Sequence, residues 1–370
     1  MIWLTWRQFR AQAITAIAAL AAFAILLTIT EPRLASLYTT SGFAGCQGGS
    51  CAELAGNFLS ELSNLTPFGG PQGFNLLPDG FNLYVFVYAL GVLLILIAPV
   101  ITGAFWGAPL IARELETGTA RLTWNQSVTR TRWLTVKLAL TGVAAMAVAE
   151  AFSLLLAWWA APVNRATGLG ASVSVFSGSR FSALVFATGG IAPLGYAAFG
   201  FALGVTAGLL IRRAVPAMAL TLAIFAAVQV VMPLWVRPHL MPADQTIASI
   251  ASTNAALSDF SGPSTLTASA VPGQPGAWII SSEAVNAAGR PAAALPAACN
   301  PAPGPPTATP HSTFQSGVDR CLASHGIREA VSYLPASHYW PLQLIETGLF
   351  LALALALAGF CLWWLDRRAA

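Results

Sequence analysis

Charge is what this sequence has least of. Of 370 residues, 18 are Lys or Arg and 14 are Asp or Glu, 9% in all against 56% hydrophobic. A soluble domain carries about 25% charged residues, so a water-facing surface cannot be built from this chain. With a mean hydropathy of +0.67, the class is integral membrane. The net charge of +4 is too small to read as a nucleic-acid signal, and no nucleic-acid partner is expected. Lysine is almost missing: Lys137 stands alone among the basic residues, a bias that suits a GC-rich, bacterial genome. No G-x-x-x-x-G-K-[ST] loop surrounds it, so the chain lacks the usual means of hydrolysing a nucleotide. Neither G-x-S-x-G nor H-E-x-x-H occurs. No catalytic residue and no resident cofactor or metal are expected, and the chain is not read as an enzyme. Internal repeats are also missing, which leaves the inverted-repeat plan of many secondary transporters without support. No small-x-small cleavage site cleanly ends the first apolar run. "MIWLTWRQFRAQ" therefore opens a retained span and not a signal peptide, and "TITEPRL" reads as its helix exit.

What is present is a set of long apolar runs. About 20 predominantly apolar residues cross a bilayer core, and six stretches qualify. They lie between Arg10 and Glu31, between Asp79 and Arg113, from about Leu138 to about Ala161, between Arg180 and Arg212, between Arg213 and Arg237, and between Glu346 and Asp366. Pro99 and Pro109 are expected to kink the second, and "GGIAPLG" (189–195) to bend the fourth. Cytoplasmic segments carry the excess of Lys and Arg. If the N-terminus is inside, eleven basic residues fall on short inner segments and seven outside, four of these in one long loop. Tryptophans cluster at the expected span ends, Trp106 and Trp133 inside, Trp158 and Trp340 outside. The expectation is an all-α polytopic membrane protein of six helices, N-in and C-in, multi-pass in a bacterial inner (cytoplasmic) membrane and surrounded by lipid. Residues 1–236 form the membrane domain with an external loop at 31–79. Residues 237–340 form a small external α/β subdomain, in which "AWIISSEAVN" reads as a strand and "DRCLASHGIREAVSYL" as a helix and then a strand. Residues 341–370 are the sixth span and a cytoplasmic C-terminus.

Five cysteines divide by side. Cys46 and Cys51, in "CQGGSC", share the first outer loop; Cys299 and Cys321 share the last; Cys361 lies in the sixth span as a small apolar residue. Disulfides persist on the oxidising side, and four cysteines allow three pairings. The shared loops favour Cys46–Cys51 and Cys299–Cys321. A zinc reading stays open beside it, because Cys321 and His325 are spaced to share a helix face, with Cys299 and His311 available.

Two features lie inside spans. Glu150 is ionisable near a span centre, a costly placement that reads either as a substrate-pathway contact or as a buried neutral acid bonded to a neighbouring helix. Gly200, Gly204 and Gly208 recur every four residues, a spacing that lets helix backbones approach closely, within the fold or at a dimer interface.

Residues 112–137, "ARELETGTARLTWNQSVTRTRWLTVK", gather seven charges between two uncharged runs. Gly118 is placed to stop a helix, Thr119 to cap a short one, and Ser127 or Thr129 to cap the third span. A bare connector could be as short as the "RR" at 212–213, so this one reads as a structured ledge whose charges face water. Glu114, close to the span end, could also fix the depth of that end.

On these residues the chain resembles permease subunits of ABC transporters of the ABC-2 type, especially actinobacterial ones. "MIWLTWRQFRAQ" is similar to the family's interfacial N-terminal segment. "GAPLIARELETGTARLTWNQSVTRTRWLTVKL" resembles its second span, first cytoplasmic loop and third span, and "YWPLQLIETGLFLALALALAGFCLWWLDRR" its last span. The resemblance implies that residues from about Thr117 to Ser127 form a coupling helix against a separate ATPase subunit, with Glu114, Glu116, Arg121 and Trp124 as contacts. It further implies ATP and Mg on that partner and a homodimer or heterodimer of permeases. Export of an amphipathic drug, peptide or lipid is the implied activity. The alternative is a permease-like sensor or immunity protein that acts through its external loop without transport.

Overall fold

The computed structural model describes residues 2–47, 51–64, 82–117, 129–171, 180–253, 256–257, 266–268, 270–292, 299 and 311–368. Among them, six helices are long and apolar enough to cross a membrane: Phe9–Thr40, Leu83–Glu116, Thr131–Trp159, Ala192–Ile211, Ala214–His239 and Ala336–Arg367. They are the first to sixth spans. The chain is an all-α polytopic membrane protein with, among the described residues, a small three-stranded sheet and a short two-stranded pair. It divides into two compact units. The first contains the spans; the second comprises 167–170 and 241–339.

The fourth span is the axis of the first unit. It is 83% buried, against 22–33% for the other five, and it packs on the second, third and fifth. Its register of small residues explains why. A Cβ on Gly200 would stand 2.7 Å from the Pro99 carbonyl oxygen; on Gly204 or Gly208 it would collide with the carbonyl of Gly103 or Ala108. The second span answers with Gly103 and Gly107, whose missing Cβ atoms would sit 2.5 Å from the Gly200 oxygen and 2.6 Å from the Phe201 oxygen. The three glycines of the fourth span are thus spent inside the fold, where two backbones touch.

The second span is not a uniform helix. Between Pro99 and Pro109 it widens into a π-helical turn over Thr102–Gly107, the usual signature of a distorted helical ladder. Pro109 has no N–H to return to the carbonyl four residues back, and Gln12 Nε2 of the first span donates to that Phe105 oxygen at 3.3 Å. In the fourth span the break comes just before Pro193, which sits in the first turn of the long helix and loses no helical bond there. A six-residue helix, Ala183–Thr188, ends at Gly189, Gly190 takes φ +62°, and the long helix starts at Ala192.

The first helix corrects the expectation of an exit at "TITEPRL". It runs to Thr40 straight through Pro32. Packing outweighs the lost hydrogen bond: Leu34 is buried and Tyr38 meets Phe43 and Phe58 edge-on. Phe58 belongs to a helix, Cys51–Asn64, that buries one apolar face. Further along, Trp159 Nε1 donates to Thr30 Oγ1 at 2.9 Å, joining the third span to the first.

The second unit holds a three-stranded antiparallel sheet in the order β1 (Asp244–Ala248), β5 (Arg328–Leu334), β4 (Trp278–Val285), with the short pair β2 (Ala256–Leu257) and β3 (Leu266–Thr267) beside it in sequence. The central strand is the last to arrive. A helix, His311–Ser324, precedes it, and Leu322 and Ile327 bury with Ile250, Ala284 and Cys299 into a separate core.

Candidate functional site

Among the described residues, two polar constellations sit among the apolar spans, both in the first unit. The first is where the second span ends and the third begins. The second span closes on Thr117, whose hydroxyl donates to the Arg113 carbonyl at 2.9 Å. The third opens at Thr129, which caps through backbone geometry alone and not through its hydroxyl. Two turns into the third span Lys137 turns inward. It is 2% exposed, ion-paired with Glu114, and its ammonium lies 4.6 Å from the Trp133 ring centroid. This corrects the picture of a ledge with all its charges in water. Lys137 is interior because Trp133 and Glu114 together replace its hydration. Glu116 Oε1 accepts from the Ala214 N–H at 3.1 Å, so the same helix end also satisfies the first free amide of the fifth span. Arg121 and Trp124 lie outside the described residues, as do Gly118, Thr119 and Ser127.

The second constellation escaped the sequence reading. Arg237 at the end of the fifth span and Glu346 in the sixth are 1% and 0% exposed. Their pairing is bidentate, Nε to Oε2 at 2.9 Å and a terminal nitrogen to Oε1 at 3.0 Å. Tyr196 of the fourth span donates its hydroxyl to Glu346 Oε1, and the guanidinium lies 4.1 Å from the Phe186 centroid. One turn away Gln343, fully buried, accepts from the Ala192 N–H at 2.9 Å and donates to the carbonyls of Phe186 and Gly189 at 3.0 and 3.2 Å. Ser153 of the third span donates to the Thr188 carbonyl at 2.9 Å. The break in the fourth helix, with its loose amide and carbonyls, is therefore completed by side chains of other spans. In the sequence Arg237 and Glu346 mark only span boundaries. Gln343, Glu346 and Thr347, three and four apart on an otherwise apolar helix, were the available signal.

The remaining candidates separate. Glu150 is half-buried; its Oε2 has no hydrogen bond among the described residues, and neither constellation includes it. Cys361 is buried with Sγ 3.3 Å from Thr206 Oγ1. In the structure Cys46 is bonded to Cys51 and Cys299 to Cys321, each pair with Cα atoms 5.6 Å apart. Cys299, Cys321 and His325 do gather with ligand atoms within 4.8 Å, but the two sulfurs are bonded to each other and offer no thiolate. The His311 side chain is outside those described.

A family model described as ABC-2 membrane transporter related matches residues 17–237. That range covers most of the first span, all of the second to fourth, nearly all of the fifth, and the whole 112–137 connection. Comparison with curated proteins and with solved structures returns no match.

Proposed function

We propose, since this chain belongs to the ABC-2 membrane transporter related family, that it is the permease half of an ATP-driven exporter in a bacterial cytoplasmic membrane. A permease component of an ABC transporter moves its cargo with energy from another chain. Here that chain is a separate ATPase carrying ATP and Mg²⁺ and docking on the 112–137 connection, with Glu114, Glu116, Arg121 and Trp124 at or beside the contact. Two permeases and two ATPases make the working unit, both termini are cytoplasmic, and the cargo is amphipathic: a drug, a peptide or a lipid.

The observation that carries this reading is how the connection is tied to the spans. Glu114 pairs with Lys137 across the second and third spans, and Glu116 bonds the first amide of the fifth. The second span in turn is packed backbone to backbone on the buried fourth. A push on residues 117–127 would load four spans through short, stiff contacts. Glu114 thus positions the docking element and Arg121 and Trp124 contact the partner. The test is ATP hydrolysis and cargo efflux by the permease–ATPase complex in vesicles. With the ATPase supplied in excess, Arg121→Ala and Trp124→Ala should leave ATP hydrolysis running while efflux falls; efflux at the wild-type rate in both would reject the coupling assignment.

A second reading, a sensor or immunity protein that binds something outside, is favoured by the second unit, which has its own core and its own disulfide. Measured efflux separates the two.

A further inference from the structure

A disulfide and a histidine meet in the second unit. Cys299 is buried in that unit's own core with Leu322 and Ile250. Cys321 and His325 stand four apart at the end of the helix His311–Ser324, on one face of it. Gly326, at φ +70°, closes that helix. Its N–H donates to the Ala323 carbonyl and the Ile327 N–H to that of Leu322, both at 3.0 Å, the paired bonds of a Schellman cap. The cap holds Cys321 beside His325 through the backbone, whether or not the sulfurs are bonded. His325 Nδ1 lies 3.7 Å from Cys299 Sγ and 4.0 Å from Cys321 Sγ. Zinc–sulfur bonds of about 2.3 Å and a zinc–nitrogen bond of about 2.0 Å make the sulfur–nitrogen edge of a tetrahedral site about 3.6 Å. The imidazole therefore already stands near the distance that a shared ion requires of both sulfurs.

We propose that this disulfide is the closed form of a zinc site: reduction frees Cys299 and Cys321, and their thiolates bind Zn²⁺ together with His325 Nδ1. One dithiol reductant balances the first step. Its two thiols are oxidised to a disulfide while the Cys299–Cys321 bond is reduced to two thiols. Zn²⁺ then displaces both thiol protons to solvent. Cys321 is half-buried and His325 exposed, so reductant and ion have a way in. In the bonded form Nδ1 donates to the Cys321 carbonyl oxygen at 2.9 Å; to ligate, the ring carries its proton on Nε2 instead. The donors select the ion. Two thiolates and an imidazole do not suit Mg²⁺ or Ca²⁺, which take oxygen. The charge of Zn²⁺ balances the two thiolates, whereas Cu⁺ would leave a net negative charge half-buried. A helix C-terminus favours a cation, and three protein ligands leave a fourth place for water. Zinc then replaces the disulfide as the cross-link of the unit. The site rests neither on transport nor on the side of the membrane that the unit faces.

The experiment is metal analysis of the full-length chain in detergent after reduction with a phosphine, addition of Zn²⁺ and removal of free metal. The reduced wild type should hold a single zinc more than the oxidised wild type. It should hold the same excess over reduced Cys299→Ser/Cys321→Ser, which reports any zinc taken by Cys46 and Cys51. His325→Ala should weaken binding by more than about tenfold, the loss that follows even when a group merely supporting a ligand is removed. Equal zinc in the reduced wild type and the double serine variant would overturn the site, and wild-type affinity in His325→Ala would overturn the three-ligand assignment. Should reduction unfold the unit, proteolysis decides. Zinc present during reduction should keep residues 241–339 as resistant as the disulfide does; cleavage there at the same rate with zinc as with a chelator overturns the site.

Discussion

Arg237 and Glu346 bind each other and Tyr196 where no water reaches. Breaking one partner of such a pair leaves a buried charge, which costs about 3–5 kcal/mol, while replacing both by apolar residues of similar volume is often neutral. Arg237→Ala and Glu346→Ala should therefore each lower the melting temperature of the purified chain sharply. The double variant Arg237→Met/Glu346→Leu should melt near the wild type; a double variant as unstable as either single one would mean that the pair contributes more than charge compensation. Glu114→Ala should also destabilise, by about 3 kcal/mol on the same reasoning, because it strands Lys137. That differs from a solvated charge, worth about 0–1 kcal/mol. Glu150→Gln keeps shape and most hydrogen-bonding capacity and should leave melting unchanged; loss of efflux with normal assembly would place Glu150 on the cargo pathway. These residues mark the limit of what could be read in advance. Hydropathy locates Arg237, Glu346 and Lys137 along the chain but not which span each one meets, and only that meeting makes them interior.

At the scale of elements the periodic signals were legible. Runs of about 20 apolar residues and glycines four apart are local patterns, and they appear as spans and as a close crossing. The partner glycines Gly103 and Gly107, also four apart, are an equally local signal, but nothing in the sequence says which helix they meet. The extension of the first helix beyond Glu31 was not legible, because Pro32 argues against it and the Phe43 and Phe58 contacts that decide it are distant in sequence. The crossing itself is testable. Gly204→Ala places a methyl on the Gly103 carbonyl and must force the spans apart, costing about 1–3 kcal/mol as overpacking does. Gly348→Ala, which meets nothing within 4 Å, is the matched control and should be neutral. Equal melting of the two variants would contradict backbone contact. In the second unit, the Cys299–Cys321 bond spans a sequence separation of 22, and its loss should loosen that unit by about 3 kcal/mol on the loop-entropy model. Proteolysis of Cys299→Ala/Cys321→Ala should then cut within 241–339 while the spans stay intact; a collapse of the whole chain would show the two units to be one cooperative body.

At the scale of the whole molecule, the spans form a bundle around one glycine-rich helix, charged where helix ends must be joined. The orientation is checked by cysteine labelling: a probe at Ser249 should react from outside and one at Ser127 should not, and the reverse would invert the topology. The chain as a permease driven by another protein's ATP hydrolysis through residues 112–137 is the proposal that belongs to this scale. Its most direct test is affinity capture of the full-length chain from its native host, with Arg121→Ala and Trp124→Ala in parallel and a melting curve of each permease alone. Anchoring Arg and Trp side chains at an interface cost about 2 kcal/mol or more on truncation. The wild type should therefore bring down an ATPase, and both variants should lose it while melting as the wild type does. Variants that keep the ATPase and melt early would make the stretch an ordinary structural loop, and a wild type that captures no ATPase would contradict the account outright.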